Sequence, residues 1–203
     1  MERYNKSKKK GFTIIEYMVY IFIITIIIFF SIFKVNNLNK TLKIKEAIIK
    51  IVNIVDKYSS KSFRNEKYKL LFDTDTKEIK IYNLINKNPI EIIKLPKILN
   101  YRIPYDGKYQ NKFVFNSTID SNLDKSFTIY IFNEKRSIYR ISFYTFRTSQ
   151  IIKINVYKSL CPKIMSEEMI IKNYKNEKFM KEGWLKINDY WWRKKTTVYF
   201  RLS

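Results

Sequence analysis

The chain contains no histidine and a single cysteine, Cys161, among its 203 residues. Catalysis or metal ligation by imidazole is therefore excluded, and so is an internal disulfide. With no histidine to activate its thiol and Pro162 beside it, Cys161 reads as a small apolar residue. Only three glycines and four prolines punctuate the sequence. They build no phosphate-cradling loop, and no metal-ligand cluster or distinctively placed Asp/Glu pair accompanies them. No enzyme active site, metal or cofactor is expected.

Acidic residues are scarce as well: 18 Asp+Glu stand against 40 Lys+Arg, for a net charge of +22. Such an excess suits a nucleic acid or an anionic surface as partner. It equally suits genomic composition, because lysine, isoleucine and asparagine are abundant where alanine and glycine are scarce, the skew of an AT-rich genome. Composition alone carries no binding geometry, so both readings stand.

What the chain does have is one long apolar run. From Phe12 to Phe33 the sole charged side chain is Glu16. As a helix this run extends about 33 Å, enough to cross a bilayer. A carboxylate near the centre of a span costs about 3 kcal/mol, so one retained in such a run marks a functional site and calls for a partner. A secretory signal has an apolar core of about 7 to 15 residues followed by a small-residue cleavage site; this run is longer and ends Ser31-Ile32-Phe33-Lys34. Basic residues flank both ends, Arg3, Lys6 and Lys8 to Lys10 before it and Lys34, Lys40, Lys43 and Lys45 after it. Charge bias therefore does not set the orientation.

The stretch Lys8-Lys9-Lys10-Gly11-Phe12-Thr13-Ile14-Ile15-Glu16 resembles the processing site of type IV prepilins and type II secretion pseudopilins. The resemblance implies a leader peptide, residues 1–11, removed by a prepilin peptidase that cuts between Gly11 and Phe12 and methylates the amino group of Phe12. It implies that Glu16 serves assembly by pairing with the terminal amine of a neighbouring pilin or pseudopilin subunit. An amine with a reference pKa near 8 is cationic at neutral pH, so each charge supplies what the other lacks in a dry helical bundle. Further implied partners are the membrane and the assembly platform protein and ATPase of the same system. The implied location is the cell membrane, single-pass with a cytoplasmic leader and an exported C-terminal domain, and then a cell-surface or periplasmic filament. Without residues 1–11, which hold Arg3, Lys6, Lys8, Lys9, Lys10 and Glu2, the chain keeps 35 basic against 17 acidic residues and stays strongly basic.

Periodicity organises the rest. Residues 12–33 form the transmembrane half of an N-terminal helix and 34–58 its amphipathic half, with Val35, Leu38, Leu42, Ile48, Ile49, Val52 and Val55 as a stripe for a sheet to cover. Ser59-Ser60-Lys61-Ser62 reads as the loop that ends it. Residues 59–158 form an antiparallel β-sheet domain, with strands predicted at 68–72, 79–82, 90–95, 99–103, 112–116, 127–132, 138–143 and 151–157. Turn-favouring residues at 73–77 and 133–136 mark two hairpins, 105–108 is a polar loop, and 116–125 is a longer loop projecting from the sheet edge. This order is similar to that of the H-type minor pseudopilins and the related GspH/FimT-like minor pilins. The matching pieces are Leu70-Leu71-Phe72-Asp73, Lys94-Leu95-Pro96-Lys97-Ile98-Leu99 and Phe127-Thr128-Ile129-Tyr130-Ile131-Phe132. The chain departs from that pattern at Asn116 and Thr148-Ser149, where the family carries glycines.

The C-terminal extension, residues 159–203, is predicted to hold a helix over 166–181, capped by Ser166 and terminated by Gly183, and strands at 184–192 and 197–202. Tyr190-Trp191-Trp192-Arg193-Lys194-Lys195 interleaves aromatics with cations, a combination that stacks bases and neutralises phosphates. The same residues fit an edge hairpin whose aromatics alternate between core and surface. The expected fold is α+β: a long N-terminal membrane-spanning helix packed against an antiparallel, pilin-like β-sheet domain, with an additional C-terminal helix and hairpin. The expected function is that of a minor pilin or pseudopilin subunit. The competing expectation is a competence-type minor pilin that binds DNA through its basic exported domain, with Trp191, Trp192, Arg193, Lys194 and Lys195 as contacts.

Overall fold

A computed structural model describes residues 14–62, 67–83, 88–118, 120, 122–145, 152–161 and 165–190. The chain divides into two compact units, Met1–Leu42 and Lys43–Ser203, and helix α1, Ile14–Lys61, contributes to both.

In the first unit, α1 from Ile14 to Ile32 is apolar around its whole circumference apart from Glu16, and its large hydrophobic side chains are exposed on every side. It is a helix long and apolar enough to cross a membrane. Its serine and threonine hydroxyls are satisfied within the helix: Thr25 Oγ1 donates to the Ile21 carbonyl at 2.8 Å and Ser31 Oγ to that of Ile27 at 2.7 Å. Neither group then requires a partner from its surroundings, which is the condition lipid imposes. Val35, Leu38 and Leu42 are exposed here rather than covered by a sheet. Apolar spacing fixes which residues share a helix face, and does not by itself say whether that face is covered within the monomer.

In the second unit the same helix becomes amphipathic. Ala47, Ile48, Ile51, Val52, Ile54, Val55 and Tyr58 are buried, three to four residues apart along one face. The helix runs on through Ser59 and Ser60, expected to end it, and stops at Lys61. Ser59 Oγ donates to the Asp56 carbonyl at 3.0 Å, and Ser62 Oγ lies 2.5 Å from the Ser59 carbonyl and 2.6 Å from that of Thr118. Hydroxyls paired with the preceding turn ride a helix without breaking it.

The buried stripe packs into one core with two antiparallel sheets. The first has the order β3-β2-β1-β7, from β1 (Tyr68–Asp73), β2 (Glu78–Asn83), β3 (Glu91–Lys94) and β7 (Lys112–Asn116). The β1–β2 turn is built by Asp73, whose carboxylate accepts the N–H groups of Asp75 and Thr76 at 3.0 and 3.1 Å. Burial works against that charge, yet the two N–H bonds hold the carboxyl below its usual range. The second sheet has the order β11-β10-β9-β8-β4, from β4 (Asn100–Arg102), β8 (Phe127–Asn133), β9 (Arg136–Tyr144), β10 (Lys153–Ser159) and β11 (Trp184–Tyr190). A short hairpin of β5 (Pro104–Tyr105) and β6 (Lys108–Tyr109) turns on Asp106 and Gly107. Both turn residues have positive φ, 52° and 78°, the conformation of a tight Asp-Gly hairpin. The expected polar loop is thus the turn of a short hairpin, with its end residues, Tyr105 and Lys108, in the two strands.

The described residues of the segment 116–125 pair with one another and with the domain, where the sequence predicts a projecting loop. Ser117 bridges to Leu123, the Asp124 carboxylate accepts both the backbone N–H and the side-chain amide of Asn116, at 3.0 and 2.8 Å, and Asn122 and Leu123 are buried. Burying Leu123 favours folding the loop back onto the domain.

Beyond β10 the chain covers the outer face of the second sheet. The single helix expected over 166–181 is two, α2 (Glu167–Asn173) and α3 (Glu177–Glu182). Ser166 caps the first, as expected. Asn176 breaks the run because its side-chain oxygen caps the second, accepting the N–H groups of Lys178 and Phe179 at 3.0 and 3.3 Å, a use of asparagine favoured over a helix interior. Gly183 ends α3, and a Cβ placed there would lie 2.2 Å from Met165 Cε. A second core of Tyr130, Phe132, Met165, Ile170 and Trp184 results, with Tyr109, Tyr157, Phe179 and Met180 packed against it. Strand β8 serves both cores: Phe127, Ile129 and Ile131 point into the first, Tyr130 and Phe132 into the second. The strand expected at 197–202 lies outside the described residues.

Candidate functional site

Of the residues singled out in the sequence, Glu16 stands in the first turn of α1, exposed among Ile14, Ile15, Tyr17 and Met18. Gly11 and Phe12 precede the described residues, and Trp191, Trp192, Arg193, Lys194 and Lys195 follow them. Among the described residues no group of three or more Cys, Asp or Glu side chains is placed to share a metal ion.

The second unit holds a cleft that the sequence reading missed. Its volume is about 550 Å³, and its walls come from four places in the chain. The β5–β6 hairpin supplies Pro104, Tyr105 and Asp106; β8 and the residue before it supply Ser126, Phe127, Thr128 and Tyr130; β9 supplies Phe143 and Tyr144; the α2–α3 region supplies Tyr174, Lys175 and Met180. Two of these walls are tied together, since the Gly107 N–H donates to the Tyr174 hydroxyl at 2.8 Å. The cap carrying Tyr174 is held to the sheet by Arg102 Nε donating to Glu167 at 3.1 Å and by Tyr109 donating to the Glu167 carbonyl. Phe127 and Phe143 stack as the floor, centroids 4.7 Å apart.

Cations stand against the rings. Lys125 Nζ lies 5.5 Å from the Tyr105 centroid and 5.0 Å from that of Phe113, and Lys175 Nζ lies 5.5 Å from that of Tyr174. Behind the cleft wall, Arg140 on β9 is 2 % exposed. It donates to Met180 Sδ at 2.9 Å and to the Met180 carbonyl at 2.6 Å, and its guanidinium lies 4.0 Å from the Tyr157 centroid and 5.1 Å from that of Trp184. Among the described residues no carboxylate pairs with it, and its Nε finds no acceptor. Burial pushes the Tyr130 hydroxyl up to about 12, with Arg140 acting in the opposite sense. Burial, and then a hydrogen bond with Tyr144, raise that of Tyr157. No sequence signal announced this site, because its rings sit on strands and turns far apart in the chain, where each reads as ordinary strand composition.

A second polar cluster joins α1 to the edge of the first sheet. Glu91 on β3 accepts from Lys57 Nζ at 2.7 Å and from the Tyr58 hydroxyl at 2.5 Å. Lys57, then Tyr58, hold its carboxyl below the usual range, while burial and Glu91 raise the Tyr58 hydroxyl.

Comparison with family models, curated proteins and solved structures found no match. The class that fold and sequence define is an α+β protein with a long N-terminal apolar helix and antiparallel sheets.

Proposed function

We propose that the chain is a minor pilin or pseudopilin subunit of a type IV pilus-like or type II secretion-like filament. Prepilin peptidase cuts after Gly11, and the subunit assembles through its N-terminal helix. The observation that carries this reading is Glu16 in the first turn of α1, the one charged side chain in the apolar, exposed stretch of that helix from Ile14 to Ile32. An ordinary anchor gains nothing from such a charge, whereas a bundle of identical helices gains an ion pair when the carboxylate meets a neighbour's terminal amine. The amphipathic second half of α1 supports the same reading, since a subunit of this kind needs one helix that serves both lipid and its own sheet domain.

Intact-mass analysis of protein from its native host, or from a host co-expressing a prepilin peptidase, tests the proposal. The mature chain is expected to begin at methylated Phe12, and Gly11→Val to accumulate as precursor. An amino terminus at Met1, or at any other residue, overturns it.

A further inference from the structure

From the rings and cations of the cleft, we infer a binding site for a phosphorylated nucleoside, presented as a free nucleotide or as a unit of a single strand. The inference does not depend on the filament reading. Three features select the ligand. Tyr105 and Tyr174 line the cleft, each with a lysine ammonium over its ring and Tyr105 also packed against Phe113. A base seated beside either tyrosine therefore places its phosphate within reach of an ammonium group, the combination of ring and cation by which single strands are held without sequence preference. Arg140 adds a buried positive charge behind the same wall, with no carboxylate among the described residues to neutralise it. Such a charge, screened little by water, favours an anion in the cleft. Asp106 and Lys175 offset one another in the lining, so the positive balance at the cleft comes from Lys125 and Arg140 beside it. The volume of about 550 Å³ accepts one nucleotide with its solvation and not a duplex. A longer strand would have to run across the opening, one base at a time.

The test uses the full chain in detergent, with fluorescence anisotropy of a short labelled oligothymidylate and calorimetric titration of thymidine monophosphate. Tyr105→Ala is expected to weaken binding roughly tenfold, and Tyr105→Phe to stay within about twofold of wild type, because the stacking face is kept. Lys175→Ala is expected to weaken binding and reduce the slope of log affinity against log salt by about one. Lys69→Ala, on an exposed position of β1, is the charge control and is expected to change affinity less than Lys175→Ala does. Tyr105-dependent binding of the monophosphate identifies a free-nucleotide site; the same dependence for the oligonucleotide alone identifies a strand site. The inference is overturned if Tyr105→Ala, with an unchanged unfolding midpoint, binds like wild type, or if Lys69→Ala and Lys175→Ala are indistinguishable. It is also overturned if polygalacturonate binds as tightly with the same Tyr105 dependence, or if a triple alanine variant at Arg193, Lys194 and Lys195 alone abolishes binding.

Discussion

The Arg140 guanidinium carbon lies 4.0 Å from the centroid of the Tyr157 ring, its cross-strand partner on β10. The ring face stabilises the cation where a carboxylate would ordinarily be expected. A flat guanidinium can stack in this way while donating to Met180, and an ammonium cannot do both. Arg140→Lys is therefore expected to destabilise the protein by about 2 kcal/mol. Arg140→Met is expected to cost less despite losing the charge, because an apolar side chain of similar length removes the desolvation penalty of a buried cation. Thermal unfolding of the two variants ranks them; a lysine variant more stable than the methionine variant would contradict the stacking account.

Tyr58 and Glu91 make the second test. Removing the Tyr58 hydroxyl leaves Glu91 still paired with Lys57, so Tyr58→Phe is expected to cost about 1 kcal/mol. Glu91→Ala strands both donors and is expected to cost more. Urea unfolding curves with equal slopes would report the difference as a shift of midpoint.

Asp56 gives a pH dependence. Burial pushes its carboxyl up to about 6, well above the ordinary carboxylate range. The folded state therefore holds this proton more tightly than the unfolded chain, and the stability it contributes is full below about pH 4 and lost as pH rises through about 6. Asp56→Asn is expected to raise stability by on the order of 1 kcal/mol at about pH 7.5, a figure reduced for partial solvent exposure, with little change at about pH 4. Equal gains at both pH values would show that the carboxyl is not the cause.

Glu16 is expected to matter for assembly and not for processing. Glu16→Ala should yield mature chain beginning at Phe12 in normal amount, yet enter sheared filaments less than wild type. Equal recovery in filaments would remove the pairing from the account.

The helix and sheet order was legible because their periods are written in the residues. The turn at 73–77 could be read from its short polar side chains, and Ser166 and Gly183 were visible as caps. The misread breaks share a cause. Ser59 to Ser62, Asp106-Gly107 and Asn176 are polar residues that mark breaks in general, and only their hydrogen-bond partners decide whether a helix continues, a hairpin closes or a new helix starts. The cleft was illegible for a different reason. Tyr105, Phe127, Tyr144 and Tyr174 converge only after two non-adjacent stretches of chain are laid on one sheet, and no local pattern encodes that meeting.

Strand β8 lies between β9 and β4 and packs on both faces, against the main core and beneath the α2–α3 cap. Its amides are shielded laterally by hydrogen bonds and above and below by apolar side chains. In deuterated solvent they should be the last to exchange, through global unfolding alone, while the amides of α3 exchange by local fraying. If losing the cap accelerates exchange at Tyr130 and Phe132, it must do so at Ile129 and Ile131 as well. A disturbance at the outer surface would then be felt in the core that β8 shares with α1.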